Sequence, residues 1–146
     1  RAVNAAEARA GLGTTVDWTR GRISFARARS ALELVADSGP RLVAAGDRLG
    51  EMLLRSDSAL AAELAGARLA PLAELSPGSR RRMTETLRVW LAQQGRLGQV
   101  AQVLGIHPQT ARYRLGRLRD LFGPELDDPE GRFWLELALR IQAAER

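Results

Sequence analysis

Apolar residues recur most regularly between Gly98 and Leu118, where two short amphipathic segments follow each other with few residues between them. The second segment repeats them at intervals of four, three and four, at Ala111, Leu115, Leu118 and Phe122. This spacing predicts one buried stripe along a helix. Gly105 suits the left-handed turn that ends the first helix, and His107 and Pro108 suit the N-cap and first position of the second. Together these features predict a helix-turn-helix.

The face of the second helix opposite the stripe is polar. Gln109, Arg112 and Tyr113 lie on it near the helix start, which is the end that usually enters the DNA major groove first, so we expect them to read base edges. Side chains that flank the stripe or lie outside this helix are expected to meet phosphates or the groove edge. These are His107, Thr110, Arg114, Arg117, Arg80, Arg81 and Arg82.

Weaker periodicities predict further helices along the chain. We expect them over residues 24–37, 47–54, 56–69, 77–94 and 128–144, with N-caps at Ser24, Asp47, Ser56 and Asp128. Residues 42–45 form a short apolar run, which indicates either a lone strand or a tight connector. Residues 69–75 are expected to be a connector rich in leucine. The predicted fold is therefore all-α or mostly α, and it ends in the helix-turn-helix.

The strength of these patterns divides the chain into three parts. Residues 1–22 show no sustained period, which indicates a short helix or a partly disordered linker. Residues 23–75 are interpreted as a helical connector or as the remnant of an upstream sensor domain, and residues 76–146 as the helix-turn-helix domain. Because the first residue is Arg1 rather than methionine, we expect a fragment of a longer polypeptide. A small-molecule effector would then bind the missing upstream domain.

The closing helix carries more apolar residues than one side of a small domain needs. We expect one face to hold Phe133, Trp134, Leu137, Ala138 and Ile141, with Leu135 and Leu139 lying off it. Either core packing or a dimer interface would use this excess. Because two-fold dimers on paired half-sites are the common arrangement for such DNA-binding motifs, we expect a homodimer with this helix as the candidate interface.

Charge is distributed unevenly along a chain whose formal net charge is +5. Between Arg80 and Arg119 nine arginines accompany one acid, Glu85, whereas residues 120–146 hold three arginines and seven acids. The predicted helix-turn-helix and the helix before it are therefore the cationic part of the chain. Their sign suits a polyanion, and the expected partner is double-stranded DNA.

Residues for enzyme chemistry are scarce. The sequence has one histidine, no cysteine and no glycine-rich phosphate loop, so we expect no catalytic residue, no cofactor and no metal site. His107 is better explained as a helix cap or a DNA contact than as a general base. No apolar run approaches the roughly 20 residues that cross a bilayer, so no membrane partner is expected. The absence of cysteine fits a reducing, cytoplasmic setting.

Five segments of the C-terminal half carry a family resemblance. They are TLRVWL at 86–91, VAQVLGIHPQTARYRLGRL at 100–118, LFG at 121–123, LDDPEGRF at 126–133 and LELAL at 135–139. In this order and spacing the chain resembles the C-terminal helix-turn-helix domain of PucR/CdaR-type bacterial transcription regulators. The resemblance implies a transcription regulator, whereas charge and spacing indicate only DNA binding. Two alternatives stay open: a protein-interaction or dimerisation module with a helix-turn-helix fold, and a ligand-sensing fragment.

Overall fold

The structure, a computed structural model, describes residues 9–35 and 40–144. Over these residues it contains eight α-helices, one sheet of two short strands and three turns of 3-10 helix. The mostly α fold class predicted from the sequence is therefore confirmed. Residues cluster into two compact units, with the division between Ser58 and Ala59.

The first unit is built on a short parallel pairing of two strands. Strand β1 (Ala10–Leu12) pairs with β2 (Leu42–Ala44), and helix α1 (Gly21–Glu33) packs against both. Ala31 of α1 and Val43 of β2 are buried together at the centre of this unit. Residues 42–44 thus form a strand, as one of the two interpretations had it, but the strand is paired rather than alone and Ala45 already belongs to a turn of 3-10 helix. Strand β1 lies where no strand was expected.

The N-caps predicted at Ser24 and Asp47 are wrong. Helix α1 begins three residues before Ser24, whose hydroxyl instead donates to the main-chain carbonyl of Thr14 at 2.8 Å. Helix α2 (Leu49–Ser56) follows a turn of 3-10 helix that already contains Asp47. The capping preference of Ser24 is therefore overridden by a hydrogen bond to a residue ten positions away. That of Asp47 is overridden by the turn of 3-10 helix that contains it. Helix α1 ends at Glu33, so the prediction of a helix is wrong at Leu34 and Val35, and residues 36 and 37 lie outside the described residues.

The second unit contains the other helices. They are α3 (Ser58–Arg68), α4 (Ala70–Ala73), α5 (Pro77–Ala92), α6 (Leu97–Leu104), α7 (Pro108–Phe122) and α8 (Pro129–Ala144). Helix α5 packs against α6, α7 and α8, so it lies at the centre of the domain. The helices predicted from residues 77 and 128 are confirmed. Asp128 caps α8 as expected, because its carboxylate accepts a hydrogen bond from the Gly131 N–H at 2.7 Å.

Helices α3 and α4 differ from the sequence prediction. Ser56, expected to cap α3, is the last residue of α2, and its hydroxyl donates to the carbonyl of Leu53 at 2.7 Å. Residues 69–75, expected to be a connector, contain the short helix α4. Pro71 lies in the first turn of α4, where a missing N–H costs little. Leu72 is buried, so this segment does contribute to the core as expected.

The buried face of α8 was predicted only in part, since Ala138 and Ile141 are buried as expected. Leu135 and Leu139, expected off the buried face, are buried, whereas Phe133 is 57% exposed. The cause is Gly131, which lies so close to the main chain of Glu125 that a Cβ would come within 2.4 Å of the Glu125 carbonyl oxygen. Because of this close approach, the side of α8 that carries Gly131, Leu135 and Leu139 faces the core. The sequence prediction had given no weight to Gly131.

Candidate nucleic-acid interface

The turn between α6 and α7 has the predicted geometry. Gly105 is the C-cap of α6 with a φ of 62°, a left-handed conformation that a glycine adopts at little steric cost. The next residue, Ile106, donates its N–H to the carbonyl of Ala101 at 3.0 Å. His107 is the N-cap of α7, and Pro108 takes the first helical position. The helix-turn-helix predicted from the sequence is confirmed.

The His107 side chain caps α7 through a ring nitrogen. Its Nδ1 accepts a hydrogen bond from the main-chain N–H of Gln109 at 3.2 Å. Because Nδ1 accepts, the proton of the neutral imidazole lies on Nε2, which remains a donor on an exposed side chain. One residue therefore ends the turn and presents a hydrogen-bond donor near the start of the helix.

One side of α7 is fixed in the core by the predicted stripe. All four of its residues are buried: Ala111, Leu115, Leu118 and Phe122. Helix α7 packs against both α5 and α6 through this side. The buried stripe determines which residues of α7 face outward.

The exposed side of α7 brings two of the predicted base readers together. The Arg112 guanidinium donates to the side-chain oxygen of Gln109 at 3.3 Å. Tyr113 lies beside them with 68% of its surface exposed, and Gly116 is exposed one turn later. The structure thus places Gln109, Arg112 and Tyr113 on one accessible surface, which has no side chain at Gly116.

A buried threonine that the sequence analysis missed links α7 to α5. Thr86 is fully buried, and its hydroxyl donates to the carbonyl of Arg82 at 2.7 Å. The same oxygen accepts a hydrogen bond from the half-buried Arg114 guanidinium at 3.5 Å. The signal was available, because Thr86 falls within the apolar row of Met83, Leu87 and Trp90. A polar residue in such a row needs a partner.

The three consecutive arginines of α5 have different neighbours. Arg80 donates to the carbonyls of Leu72, at 3.2 Å, Leu75, at 3.3 Å, and Ala73, so it is engaged with the end of α4. Arg81 lies on the side of α5 that faces Gln142 of α8. Arg82 alone of the three lies beside α7. Successive residues of a helix are about 100° apart, which accounts for this divergence.

Arg117 lies on the same side of α7 as Arg114 and forms an ion pair along the helix. Its Nη1 is 3.7 Å from a carboxylate oxygen of Asp120. Both side chains are about half exposed or more, so water and salt screen the attraction. The pair leaves Arg117 able to turn toward another anion at small cost.

Metal-binding clusters and membrane-spanning helices are both absent from the described residues. No group of three or more histidine, aspartate or glutamate side chains in residues 9–35 and 40–144 is arranged to hold a metal ion. Within that same part of the chain, no helix is both long and apolar enough to span a membrane.

Comparison with known proteins gives a family match over the second unit. The family model of the PucR C-terminal helix-turn-helix domain matches residues 83–141. The match begins in α5 and ends in α8, so it includes the whole helix-turn-helix.

Three relatives match different lengths of the chain. A protein of Thermomonospora curvata, described as an uncharacterized protein in the pkwA 5′ region, is 43% identical over 61% of this chain and 48% of its own length. An uncharacterized protein of Mycobacterium bovis is 32% identical over 81% of this chain and 28% of its own. The purine catabolism regulatory protein of Bacillus subtilis is 38% identical over 41% of this chain and 11% of its own. The chain thus spans less than half the length of each.

Proposed function

We propose that the chain binds double-stranded DNA sequence-specifically as part of a transcription regulator, because residues 83–141 match the PucR C-terminal helix-turn-helix domain. The observation that carries the proposal is the exposed surface of α7. There Arg112 and Gln109 are hydrogen-bonded to each other at the start of a helix whose opposite side is held in the core. The Bacillus subtilis relative, a regulatory protein by name, supports the regulatory part.

In this proposal the first turns of α7 enter the major groove and read base edges. Arginine pairs with the two acceptors of guanine, and glutamine with the acceptor and donor of adenine. The hydrogen bond between Gln109 and Arg112 restricts both side chains before DNA arrives, which lowers the entropic cost of ordering them. Tyr113 adds an aromatic surface and a hydroxyl beside them. These three residues are the proposed base readers.

Phosphate contacts in this proposal come from side chains around α7. Thr110, Arg114 and Arg117 flank its buried stripe, and Arg82 stands beside them on α5. His107 offers Nε2 at the start of the helix. Arg80 is assigned a structural role instead, because it holds the carbonyls at the end of α4. Such phosphate contacts position a protein on the duplex without reading its sequence.

Selection of bound duplexes from a random-sequence pool tests the proposal. Enrichment of one common motif supports sequence-specific binding. Retention of unrelated duplexes, with affinity that falls steeply with salt, would reduce the function to non-specific DNA binding. If no duplex is retained even at low salt, a protein-interaction module would be the better explanation of the fold.

We also propose that the domain binds DNA as a homodimer in which α8 contributes to the contact between the two copies. Phe133 is a large apolar side chain of α8 that remains 57% exposed. Two recognition helices separated by one turn of DNA, about 34 Å, would read a two-fold symmetric site. A second copy would also cover Phe133.

A further inference from the structure

A groove of about 300 Å³ lies where α5 passes α7. Its polar lining combines side chains from both helices: Ser79, Arg82, Thr110, Tyr113, Arg114 and Arg117. Three of these are arginines and three carry hydroxyl groups. No carboxylate is among the described residues that line it. The groove is therefore rich in hydrogen-bond donors and positive charge.

One of the cations is held in place by the core. The Arg114 guanidinium donates to the buried Thr86 hydroxyl, which itself donates to the Arg82 carbonyl. This chain of bonds ties Arg114 to the same turn of α5 that carries Arg82. The two guanidinium groups are thus presented by neighbouring turns of two packed helices rather than by a mobile loop.

The groove lies next to the base-reading surface of α7. Thr110, Arg114 and Arg117 follow one another at helical spacing on the side of α7 that faces α5, and Tyr113 stands between this side and the exposed one. A helix in the major groove has a phosphodiester strand along each flank. The strand on the α5 side would run along this groove.

We propose that the groove binds a single phosphodiester of the DNA backbone, at the edge of the major groove that α7 enters. This inference rests on the proposed function. The chemistry fits, because guanidinium groups donate paired hydrogen bonds to phosphate oxygens and hydroxyls supply further donors. Ser79 thereby joins the interface, and Tyr113 contacts both a base and the bound phosphate.

If two arginines bind the same phosphate, the salt dependence of DNA binding will show it. The slope of log K against log salt falls by about 0.9 for each phosphate that the protein neutralises. If Arg82 and Arg114 share one phosphate, the double variant Arg82→Ala/Arg114→Ala should lose about 0.9 of slope in total. Two separate phosphates would instead give a loss of about 1.8.

Duplexes that carry one uncharged methylphosphonate at each position in turn test the assignment directly. The wild-type chain should lose affinity several-fold at one position on this flank of the bound motif. Arg82→Ala and Arg114→Ala should each be less sensitive at that same position, and the double variant should be insensitive there. Arg88→Ala is the matched control, because Arg88 lies on the side of α5 that faces Gln142, and it should keep the wild-type sensitivity. Thermal unfolding of each variant checks that the fold is retained.

Two results would overturn the groove assignment. One is that Arg82→Ala and Arg114→Ala lose sensitivity at different positions or at none, and the other is a loss of about 1.8 in slope for the double variant. Titration of the unmodified chain with inorganic phosphate, followed by NMR at Thr110 and Tyr113, separates the two proposals. If phosphate shifts the NMR signals of Thr110 and Tyr113 but no DNA is retained, the groove binds free phosphate and the proposed function is rejected. If phosphate shifts neither signal and no DNA is retained, both proposals are rejected.

Discussion

The Thr86 hydroxyl and the Arg114 guanidinium meet at 3.5 Å between α5 and α7, and this contact joins the buried core to the proposed DNA-binding surface. Thr86 is fully buried, whereas Arg114 is only partly so. A side chain that is enclosed by apolar residues therefore determines the position of a cation at the surface. The two residues are expected to act as a pair.

Thr86→Val removes the hydroxyl while nearly conserving side-chain shape. Loss of its hydrogen bonds should lower the free energy of unfolding by about 1 kcal/mol. DNA affinity should also fall, because Arg114 loses its anchor, and Thr86→Ser should restore it. In a double-mutant cycle, Thr86→Val should add little to the affinity already lost in Arg114→Ala. Additive losses would show that Thr86 does not act through Arg114.

Leu115→Ala tests the buried stripe of α7. Leu115 is 5% exposed, so its truncation should lower the free energy of unfolding by about 2–5 kcal/mol. Val103→Ala is the control, since Val103 of α6 is 58% exposed and its truncation should change stability by no more than about 0.5 kcal/mol. Equal denaturation midpoints for the two variants would contradict the assignment of helix faces.

Arg112→Ala tests base reading. Loss of a paired contact to guanine should remove about 1–3 kcal/mol of discrimination at one position of the site, or at one position in each half-site of a dimer. Arg82→Ala should instead weaken binding to all sequences alike and lower the salt slope by less than about 0.9, because Arg114 still neutralises the shared phosphate. Binding to matched and single-mismatch duplexes over a salt series measures both effects. A reversed outcome would mean that another face of the domain meets DNA.

Gly131→Ala tests the close approach that orients α8. The added Cβ would lie 2.4 Å from the Glu125 carbonyl oxygen, so the helix must shift, at a cost of about 1–3 kcal/mol in stability. Gly98→Ala is the matched control in α6, where a Cβ meets nothing within 4 Å. That change should raise stability by up to about 1 kcal/mol, because alanine favours helix over glycine. Chemical denaturation compares the two. Tolerance of alanine at Gly131 would show that α8 is oriented by other contacts.

Light scattering of the free and DNA-bound chain tests the homodimer. We expect two copies on each selected duplex, and we expect Phe133→Gln to weaken their association without changing the fold, because it removes an exposed apolar contact. Circular dichroism of the variant checks its helix content. One copy on every duplex would reject the dimer, and an unchanged dimer in Phe133→Gln would move the interface away from that residue.

Local sequence patterns predicted the parts of the site that depend on neighbours along the chain. The stripe of α7, the left-handed Gly105 and the His107 cap follow from helical spacing and from the preferences of glycine, histidine and proline near helix ends. Contacts between distant residues were beyond such patterns. The pairing of β1 with β2, the bond from Ser24 to Thr14 and the approach of Gly131 to Glu125 all depend on packing.

The same limit applies to the arginines. In the sequence, Arg80 to Arg82 form one charge run, and nothing in it distinguishes their roles. Their different surroundings follow from the packing of α5 against its neighbours. Only the packed structure shows which side of α5 faces α7. Arg114 was predicted beside the stripe, but its partner Thr86 belongs to another helix.

The bonds from Arg80 to the carbonyls at the end of α4 make α4 and the first turn of α5 into a stiff elbow. Arg82 lies two residues further along α5, so α4 and this cation are positioned by the same short stretch of chain. A substitution that frees Arg80 is therefore expected to loosen α4 and the start of α5, while the proposed base-reading residues on α7 are left unchanged.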